Sequence, residues 1–173
     1  SNGYNGESDA GLVFLGNIKE ESMDEYGYML GELPTLFQET ALLDRIHGFI
    51  KGWDIPRMND GLKLTGWALN SEYFCSILHE LRNDMSYRAI VEKIVEVPEH
   101  ADTRDTEAIK RLATAYLKLL FPNVKSEFDV DKIEFRDYCL LPAMKMRRII
   151  KLQQGMIDSE YKNKDVPFLT VKE

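Results

Sequence analysis

Apolar residues recur at helical spacing through most of the stretch from Asn70 to Gln154, and this pattern commits the chain to a mainly α fold. It predicts four helices. The second stops before Pro98, the third before Pro122, and the fourth is bent or restarted at Pro142, because proline cannot continue a regular helix. The apolar positions of the first three are Phe74, Ile77, Leu78 and Leu81, then Tyr87, Ile90, Val91 and Ile94, then Ile109, Leu112, Ala113, Tyr116 and either Leu119 or Leu120.

The ends of these helices carry signals of their own. Asn70 or Ser71 is expected to cap the first helix, because a side-chain oxygen there can accept hydrogen bonds from the free N–H groups of a first turn. The third helix is expected over about 104–120. The fourth is expected over about 131–154, with Gly155 as its C-terminal cap.

Short β segments are predicted on either side of the helical region. Residues 11–16 form an apolar run that ends in glycine, which indicates a strand buried on both faces. Residues 53–58 could pair with it, and Pro56 would confine that partner to an edge or an end of the sheet. The tail, 160–173, contains a further apolar run that is typical of the first strand of a following domain. The expected fold is mainly α with a small β portion.

Charge and cysteine usage exclude several classes of protein. The net charge is −7, and residues 1–44 hold nine acids and one base, whereas the remainder holds 20 acids and 21 bases. Wholesale nucleic-acid binding is therefore not expected from charge alone. No apolar run approaches the roughly 20 residues that span a bilayer. Cys75 and Cys139 fit no disulfide framework or metal spacing, so we expect core thiols in a reducing cytoplasm and no metal site.

Three short stretches occur in an informative order. They are Gly11-Leu-Val-Phe-Leu-Gly-Asn17, Thr40-Ala-Leu-Leu-Asp-Arg-Ile-His-Gly-Phe-Ile50 and Thr103-Arg-Asp-Thr-Glu-Ala-Ile-Lys-Arg-Leu-Ala-Thr-Ala-Tyr-Leu-Lys118. In this order they resemble the second half of a AAA+ ATPase module. The first resembles the core strand that ends in sensor 1, the second the helix that ends in the arginine finger, and the third the lid helix of the MCM helicase group.

The resemblance implies one functional residue in each stretch. Asn17 would be sensor 1, whose amide orients the attacking water beside the γ-phosphate. Arg45 would be the arginine finger, which reaches the γ-phosphate bound by a neighbouring subunit. Arg104 would be sensor 2, at a helix N-terminus whose free N–H groups already favour phosphate. ATP would lie between core and lid, with Asn17 and Arg104 acting in cis.

Each stretch also has an ordinary structural explanation. Asn17 could follow a strand in a turn, Arg45 could be a surface arginine beside Asp44, and Arg104 could belong to the charged first turn of a solvated helix. A helical protein- or DNA-interaction module with no nucleotide role is therefore the alternative. The two hypotheses differ in whether Asn17 and Arg104 face a common cleft.

A closer resemblance covers most of the chain. It is to the Lon-like AAA+ proteins of BREX phage-exclusion systems, described as ATP-dependent Lon-like proteases with an MCM-like ATPase module. It implies a homo-oligomeric ring ATPase in bacterial antiviral defence, with DNA as a possible partner. The domains implied are the end of a AAA+ α/β core over 1–60, a helical lid over 61–155, and a linker or the start of a Lon-like domain over 156–173. The matching residues are Phe14-Leu-Gly-Asn-Ile18, Glu39-Thr-Ala-Leu-Leu-Asp-Arg-Ile-His47, Gly52-Trp-Asp-Ile-Pro-Arg-Met58, Leu78-His-Glu-Leu-Arg82, Arg104-Asp105 and Leu117-Lys-Leu-Leu-Phe-Pro122.

A basic segment, Met144-Lys-Met-Arg-Arg-Ile-Ile-Lys151, fits the basic helix that precedes the C-terminal domain in that family. Pro142 departs from the family's unbroken helix. The cations allow two hypotheses. Arg147 and Arg148 could contact nucleotide or DNA phosphates. Alternatively Lys145, Arg147, Arg148 and Lys151 could form a solvated helix face, which is the commoner use of such a cluster.

Two motifs of a complete ATPase are absent from the sequence. There is no G-x-x-x-x-G-K-S/T phosphate loop, and no apolar strand is followed by the Asp-Glu pair that would serve Mg²⁺. The chain also opens without methionine on polar residues 1–9, as expected of a piece of a longer protein. We therefore expect ATP and Mg²⁺ to be cofactors of the parent protein, and this piece to bind no ATP tightly and to be inactive alone.

Overall fold

A computed structural model describes residues 11–172, and over that range the fold is mainly α with a small β portion, as predicted. The helices are α1 (Thr40–Leu43), α2 (Ser71–Arg82), α3 (Ser86–Ile94), α4 (Thr103–Leu120), α5 (Lys132–Phe135) and α6 (Leu141–Ile157). Short 3₁₀ turns lie over Glu20–Ser22, Met29–Glu32, Thr35–Gln38, Gly52–Asp54, Asp60–Leu62, Glu127–Asp129 and Ser159–Tyr161. None of the helices in this range is long and apolar enough to cross a membrane.

The hydrophobic core lies among α3, α4, α5, α6 and the turn that joins α5 to α6. The predicted apolar faces of α3 and α4 are confirmed, except that Leu119 and Leu120 stay about half exposed. The main buried side chains are Tyr87, Ile90, Val91, Ile94, Ile109, Ala113, Leu117, Phe135, Cys139, Leu140, Ala143 and Met144.

Helix α2 forms where predicted but stands apart from this core. The side-chain oxygen of Asn70 accepts hydrogen bonds from the backbone amides of Glu72 and Tyr73, at 2.9 and 3.1 Å, so the predicted N-cap is confirmed. No residue of α2 is buried. Its apolar face is only partly covered, and Phe74 remains 38% exposed.

The fourth predicted helix is interrupted as its proline requires. A π-helical turn, Arg136–Leu140, joins α5 to α6, and Pro142 lies in the first turn of α6, directly after this irregular turn. The predicted cap at Gly155 is wrong, because α6 continues to Ile157. The glycine has a steric role instead, since a Cβ there would lie 3.0 Å from the carbonyl oxygen of Tyr161.

The predicted strands over 11–16 and 53–58 do not form in the described chain. Leu12, Val13 and Leu15 are 79%, 85% and 96% exposed, because no neighbouring strands are present to pair with this run and cover its faces. The sheet has two short antiparallel strands, β1 (Val95–Glu96) and β2 (Thr170–Val171). The tail thus forms a strand as predicted, but the strand pairs back onto the helical region. The polar opening, residues 1–9, lies outside the described residues.

The two cysteines have different environments. Cys139 is fully buried in the core, and burial raises the pKa of its thiol to about 12. Cys75 is exposed on α2. The core-thiol prediction is therefore confirmed for Cys139 and wrong for Cys75.

One buried side chain ties the N-terminal region to α6. The Gln153 carbonyl oxygen accepts a hydrogen bond from the amide of Met29 at 2.9 Å, and its amide donates to the carbonyl of Gly27 at 2.9 Å. Gln153 and Met29 are both fully buried. The segment before α1 is thereby fixed to the helical core by one amide side chain that satisfies buried backbone groups on both of its atoms.

Candidate functional site

Asp44, directly after α1, bonds to one of the sequence-predicted site residues and precedes another in the chain. Arg104, the second residue of α4, donates a hydrogen bond from Nη1 to Oδ2 of Asp44. The Arg104 side chain is 61% exposed, whereas that of Asp44 is 6% exposed. Arg45 is the next residue along the chain. The structure therefore joins the predicted sensor 2 to the residue that precedes the predicted finger, although 60 positions separate Asp44 from Arg104.

Arg147 of α6 contacts Asp44 from the interior of the protein. Its side chain has no exposed surface, and it makes four hydrogen bonds. Nε donates to Oδ1 of Asp105 at 2.7 Å, and Nη2 donates to Oδ1 and the carbonyl oxygen of Asp44 at 3.1 and 3.2 Å. Nη1 donates to the carbonyl oxygen of Ile46. A planar guanidinium can satisfy this set of acceptors because its donors form a rigid fork.

Asp105 also pairs with Lys151. We call the five charged residues of this arrangement the ion-pair cluster: Asp44, Arg104, Asp105, Arg147 and Lys151. Lys151 Nζ lies 2.6 Å from Oδ2 of Asp105, and these side chains are 4% and 0% exposed. The cluster thus contains two carboxylates and three cations. Buried charges are tolerated when they are paired in this way, and removal of one partner is strongly destabilising.

The electrostatics keep Asp44 ionised. Burial of the Asp44 carboxyl opposes ionisation, but hydrogen bonds from Arg104 and Gln154 and the charges of Arg104 and Arg147 outweigh it, so its pKa lies below its ordinary value. The same contact raises the pKa of Arg104. Asp44 therefore offers Arg104 a permanent anionic partner at the protein surface.

Arg45 is exposed just beyond the end of α1, which is a single turn rather than a long helix. Its guanidinium donates a hydrogen bond to the carbonyl oxygen of Ala41, one turn back. That contact is local and can be released, because water can replace it at an exposed site. The Arg45 side chain is thus available at the surface while its backbone follows Asp44.

Asn17 is not joined to these arginines. It is exposed, and none of the hydrogen bonds or ion pairs formed by residues 11–172 connects it with Arg45 or Arg104. Three positions earlier in the chain, the ring of Phe14 meets that of Phe37 edge to face at 5.2 Å. The common cleft for Asn17 and Arg104 stays a prediction.

The basic segment is divided between core and surface. Arg147 and Lys151 are buried, so the prediction of a solvated face is wrong for both, and the Arg147 guanidinium is occupied by protein acceptors rather than open to phosphate. Arg148 is on the surface and pairs with Asp165 at 3.2 Å, and Lys145 is exposed. A continuous basic patch for DNA is therefore not present on this face of α6.

The sequence predicts neither a role for Asp105 nor the buried pairing of Arg147 with Asp44 and Asp105. One signal was available, because Met144, Arg147, Lys151 and Gln154 recur at a spacing of three and four residues that places them on one face of α6. Polar residues that share a helix face with an apolar core residue, here Met144, are expected to be buried with it. The partners could not be found in this way, since Asp105 is 42 positions from Arg147 and Asp44 is 103 positions away.

Comparison with known proteins gives the class of this domain. The family model described as Lon-like protease BrxL-like, ATPase domain, matches residues 2–167. The chain belongs to this family of ATPase domains, and the resemblance seen in the sequence is thereby confirmed.

Two curated relatives are named Lon-like protease BrxL. The chain is 31% identical over 150 residues to the Lon-like protease BrxL of Escherichia coli O9:H4 (strain HS), an alignment that covers 85% of this chain and 21% of that protein. It is 26% identical over 180 residues to the Lon-like protease BrxL of Bacillus cereus (strain H3081.97), with coverage of 96% and 26%. The chain therefore spans only about a fifth to a quarter of the length of these relatives.

Proposed function

We propose that this chain is the nucleotide-sensing part of a AAA+ ring ATPase of bacterial phage defence, and that it acts on ATP bound by the complete module. The observation that carries the proposal is the meeting of Arg104 with Asp44, the residue that precedes Arg45. Asp44 thus links the segment of Arg45 to Arg104, and both arginine side chains are exposed. Charge that develops on a phosphoryl group during transfer is stabilised by such guanidinium groups.

Each residue has a distinct task in this proposal. Arg45 acts as the finger on the γ-phosphate of a neighbouring subunit, and Arg104 contacts phosphate from the first turn of α4, where the helix dipole adds a partial positive charge. Asn17 orients the attacking water. Asp44 holds Arg104 between cycles, so Arg104 contacts phosphate by exchanging one anion for another.

The cofactor fits these residues in part. Arg45 and Arg104 suit phosphate oxygens, and ATP with Mg²⁺ would supply the phosphoryl group to be transferred. Residues 11–172 contain no cluster of three or more His, Cys, Asp or Glu side chains that could bind a metal ion. The Mg²⁺ ligands and the phosphate loop would then come from the rest of the parent protein.

The decisive experiment is Arg45→Ala in the intact ATPase that contains this segment. Hydrolysis should fall by about a thousandfold, in the range measured for arginine fingers, while ATP binding is retained. Arg57→Ala, which also removes an exposed arginine, is the matched control and should leave turnover near the parent value. Unchanged turnover in Arg45→Ala would remove Arg45 from the finger role.

A second test uses the chain alone. Calorimetric titration with Mg·ATP should show no binding in the micromolar range, because the phosphate loop that supplies most of the contacts is absent from the sequence. Micromolar binding would contradict the proposed division of labour.

A second candidate function is a helical interaction module, and it is favoured by α2. This helix has no buried residue and displays Tyr73 at 62% exposure and Phe74 at 38%. Exposed apolar surface of this kind can mark a contact with another protein or domain. If that were its only role, substitution of Phe74 would impair assembly, and Arg45→Ala would have no effect on ATP turnover.

A further inference from the structure

The segment that carries Arg45 is attached to the helices that follow it. We call residues 44–49 the finger segment. Arg147 of α6 donates hydrogen bonds to the carbonyl oxygens of Asp44 and Ile46, the two residues on either side of Arg45. One fully buried guanidinium thus holds the backbone immediately before and immediately after the candidate finger.

Three more contacts bind the finger segment to the same helices. The amide of Phe49 donates to the carbonyl oxygen of Met146 in α6 at 3.2 Å. Gly48 packs so closely that an added Cβ would lie 2.9 Å from Met146 and 3.0 Å from Leu112 of α4. The ring of His47 lies 3.3 Å from the guanidinium of Arg111, also on α4.

Within the described chain, the finger segment is joined to α1 by short-range bonds. The amides of Asp44, Arg45 and Ile46 bond to carbonyls of Thr40, Leu42 and Leu43 in α1. Among the described residues, the hydrogen bonds that reach the finger segment from far along the chain come from α4 and α6. The finger segment is therefore attached to α4 and α6, and we expect these three elements to move as one body.

We infer that Arg147 is a positioning residue for Arg45, and that the finger segment moves with α4 and α6. This inference rests on the proposed function. Arg147 itself is buried and does not touch nucleotide, so it acts only by fixing the backbone on both sides of Arg45. A tilt of these helices within one subunit then displaces the finger that serves the next subunit, which couples the nucleotide states of neighbours.

Hydrogen exchange on the chain alone tests the attachment. In Arg147→Lys, which keeps the charge but loses the fork of donors, the amides of Arg45, Ile46 and Phe49 should exchange at least about tenfold faster. Amides of α3 should be unaffected. Arg148→Lys on the same helix, with a 41% exposed side chain, is the matched control and should change nothing. Unaltered exchange in the finger segment would overturn the inference.

The wild-type chain gives a second measurement that does not depend on a variant remaining folded. If the finger segment belongs to the body of α4 and α6, its hydrogen-bonded amides should exchange through the same opening as those of Ile149 and Ile150, with the same dependence on denaturant. Exchange of the finger amides through a small local opening, independent of α6, would contradict the attachment.

Turnover of the intact ATPase separates the inference from the function on which it rests. Arg147→Lys should lower kcat at least about tenfold with little change in KM for ATP, and it should add nothing when combined with Arg45→Ala, because both act through one group. If Arg45→Ala has no effect, the proposed function fails. If Arg45→Ala abolishes turnover but Arg147→Lys leaves kcat unchanged, only the positioning role fails.

Discussion

Arg147 and Asp105 form an ion pair, 2.7 Å between Nε and Oδ1, in which neither side chain is exposed to water. Asp105 lies in the first turn of α4 and Arg147 lies in α6, so the pair joins the two longest helices of the fold. A pair of this kind contributes little net stability compared with apolar residues of the same size, but loss of one partner leaves an uncompensated buried charge. The pair instead fixes which side of α4 and which side of α6 face each other.

Asp105→Asn should destabilise the chain by about 3–5 kcal/mol, in the range for breaking a buried ion pair. The side chain keeps its shape, but Arg147 and Lys151 are left with less negative charge than they need, and the new amide N–H₂ opposes the Lys151 ammonium. Urea unfolding followed by circular dichroism measures the change. Asp165→Asn removes a 59% exposed partner of Arg148 and should stay within about 0.5 kcal/mol of the wild type.

Gly48→Ala should destabilise the chain by about 1–3 kcal/mol, because the new methyl group would overlap side chains of α4 and α6 that are already packed. The change is measured by thermal or urea unfolding. Gly52→Ala is a close control, since a Cβ at Gly52 meets nothing within 4 Å. An equal effect at both glycines would mean that the cost comes from the backbone and not from packing.

His47 should make stability depend on pH below neutrality. Partial withdrawal of its ring from water, and the charges of Arg111 on α4 and Arg147 on α6, lower its pKa below the ordinary value. The unfolded chain then binds this proton more readily than the folded chain. The contribution is therefore fully present above the unfolded pKa of about 6.5 and is lost as the pH falls through the lower folded value.

The measurement is the urea midpoint at several pH values between about 8 and 5, on either side of the unfolded pKa. The midpoint should decline on acidification in the wild type, and the decline should be smaller in His47→Gln. His79→Gln, at an exposed position of α2, should retain the wild-type decline. Identical pH profiles in wild type and His47→Gln would show that protonation of His47 does not oppose folding.

The two thiols should differ in reactivity by more than about a hundredfold near pH 8, because the thiolate is the reacting form and a thiol of pKa about 12 is almost entirely protonated there. Cys75 is exposed and Cys139 is fully buried. Alkylation by iodoacetamide, followed by mass spectrometry, should modify Cys75 alone in the folded chain and both residues in urea. Rapid labelling of native Cys75→Ser would contradict the burial of Cys139.

The elements that could be predicted from the sequence are those whose hydrogen bonds are local. The spacing of apolar residues predicts α3 and α4, Asn70 caps α2, and Pro142 marks the restart at α6, since helices satisfy their own backbone hydrogen bonds within a few residues. The strand over 11–16 could not be decided in the same way. A strand forms only when another segment accepts its hydrogen bonds, and residues 11–172 provide none for it.

The candidate site was predictable only in part, for a related reason. Arg45 and Arg104 stand out because short motifs surround them, and the structure joins Arg104 to Asp44, the residue before Arg45. The role of Arg147 depends on Asp44 and Asp105, which come from distant parts of the chain. A run of basic residues on a helix is usually solvated. The burial of Arg147 and Lys151 follows from their packing against distant segments, which the run itself does not specify.

The π-helical turn over Arg136–Leu140 sets the angular phase of everything that follows it. If that turn lost one residue and wound as a plain α-helix, each later side chain would be rotated by about 100° around the helix axis. Arg147 would then point away from Asp105, and a different residue would face the carbonyls beside Arg45. The connection between the buried Arg147–Asp105 pair and the exposed Arg45 therefore depends on one irregular turn of helix that contains none of these residues.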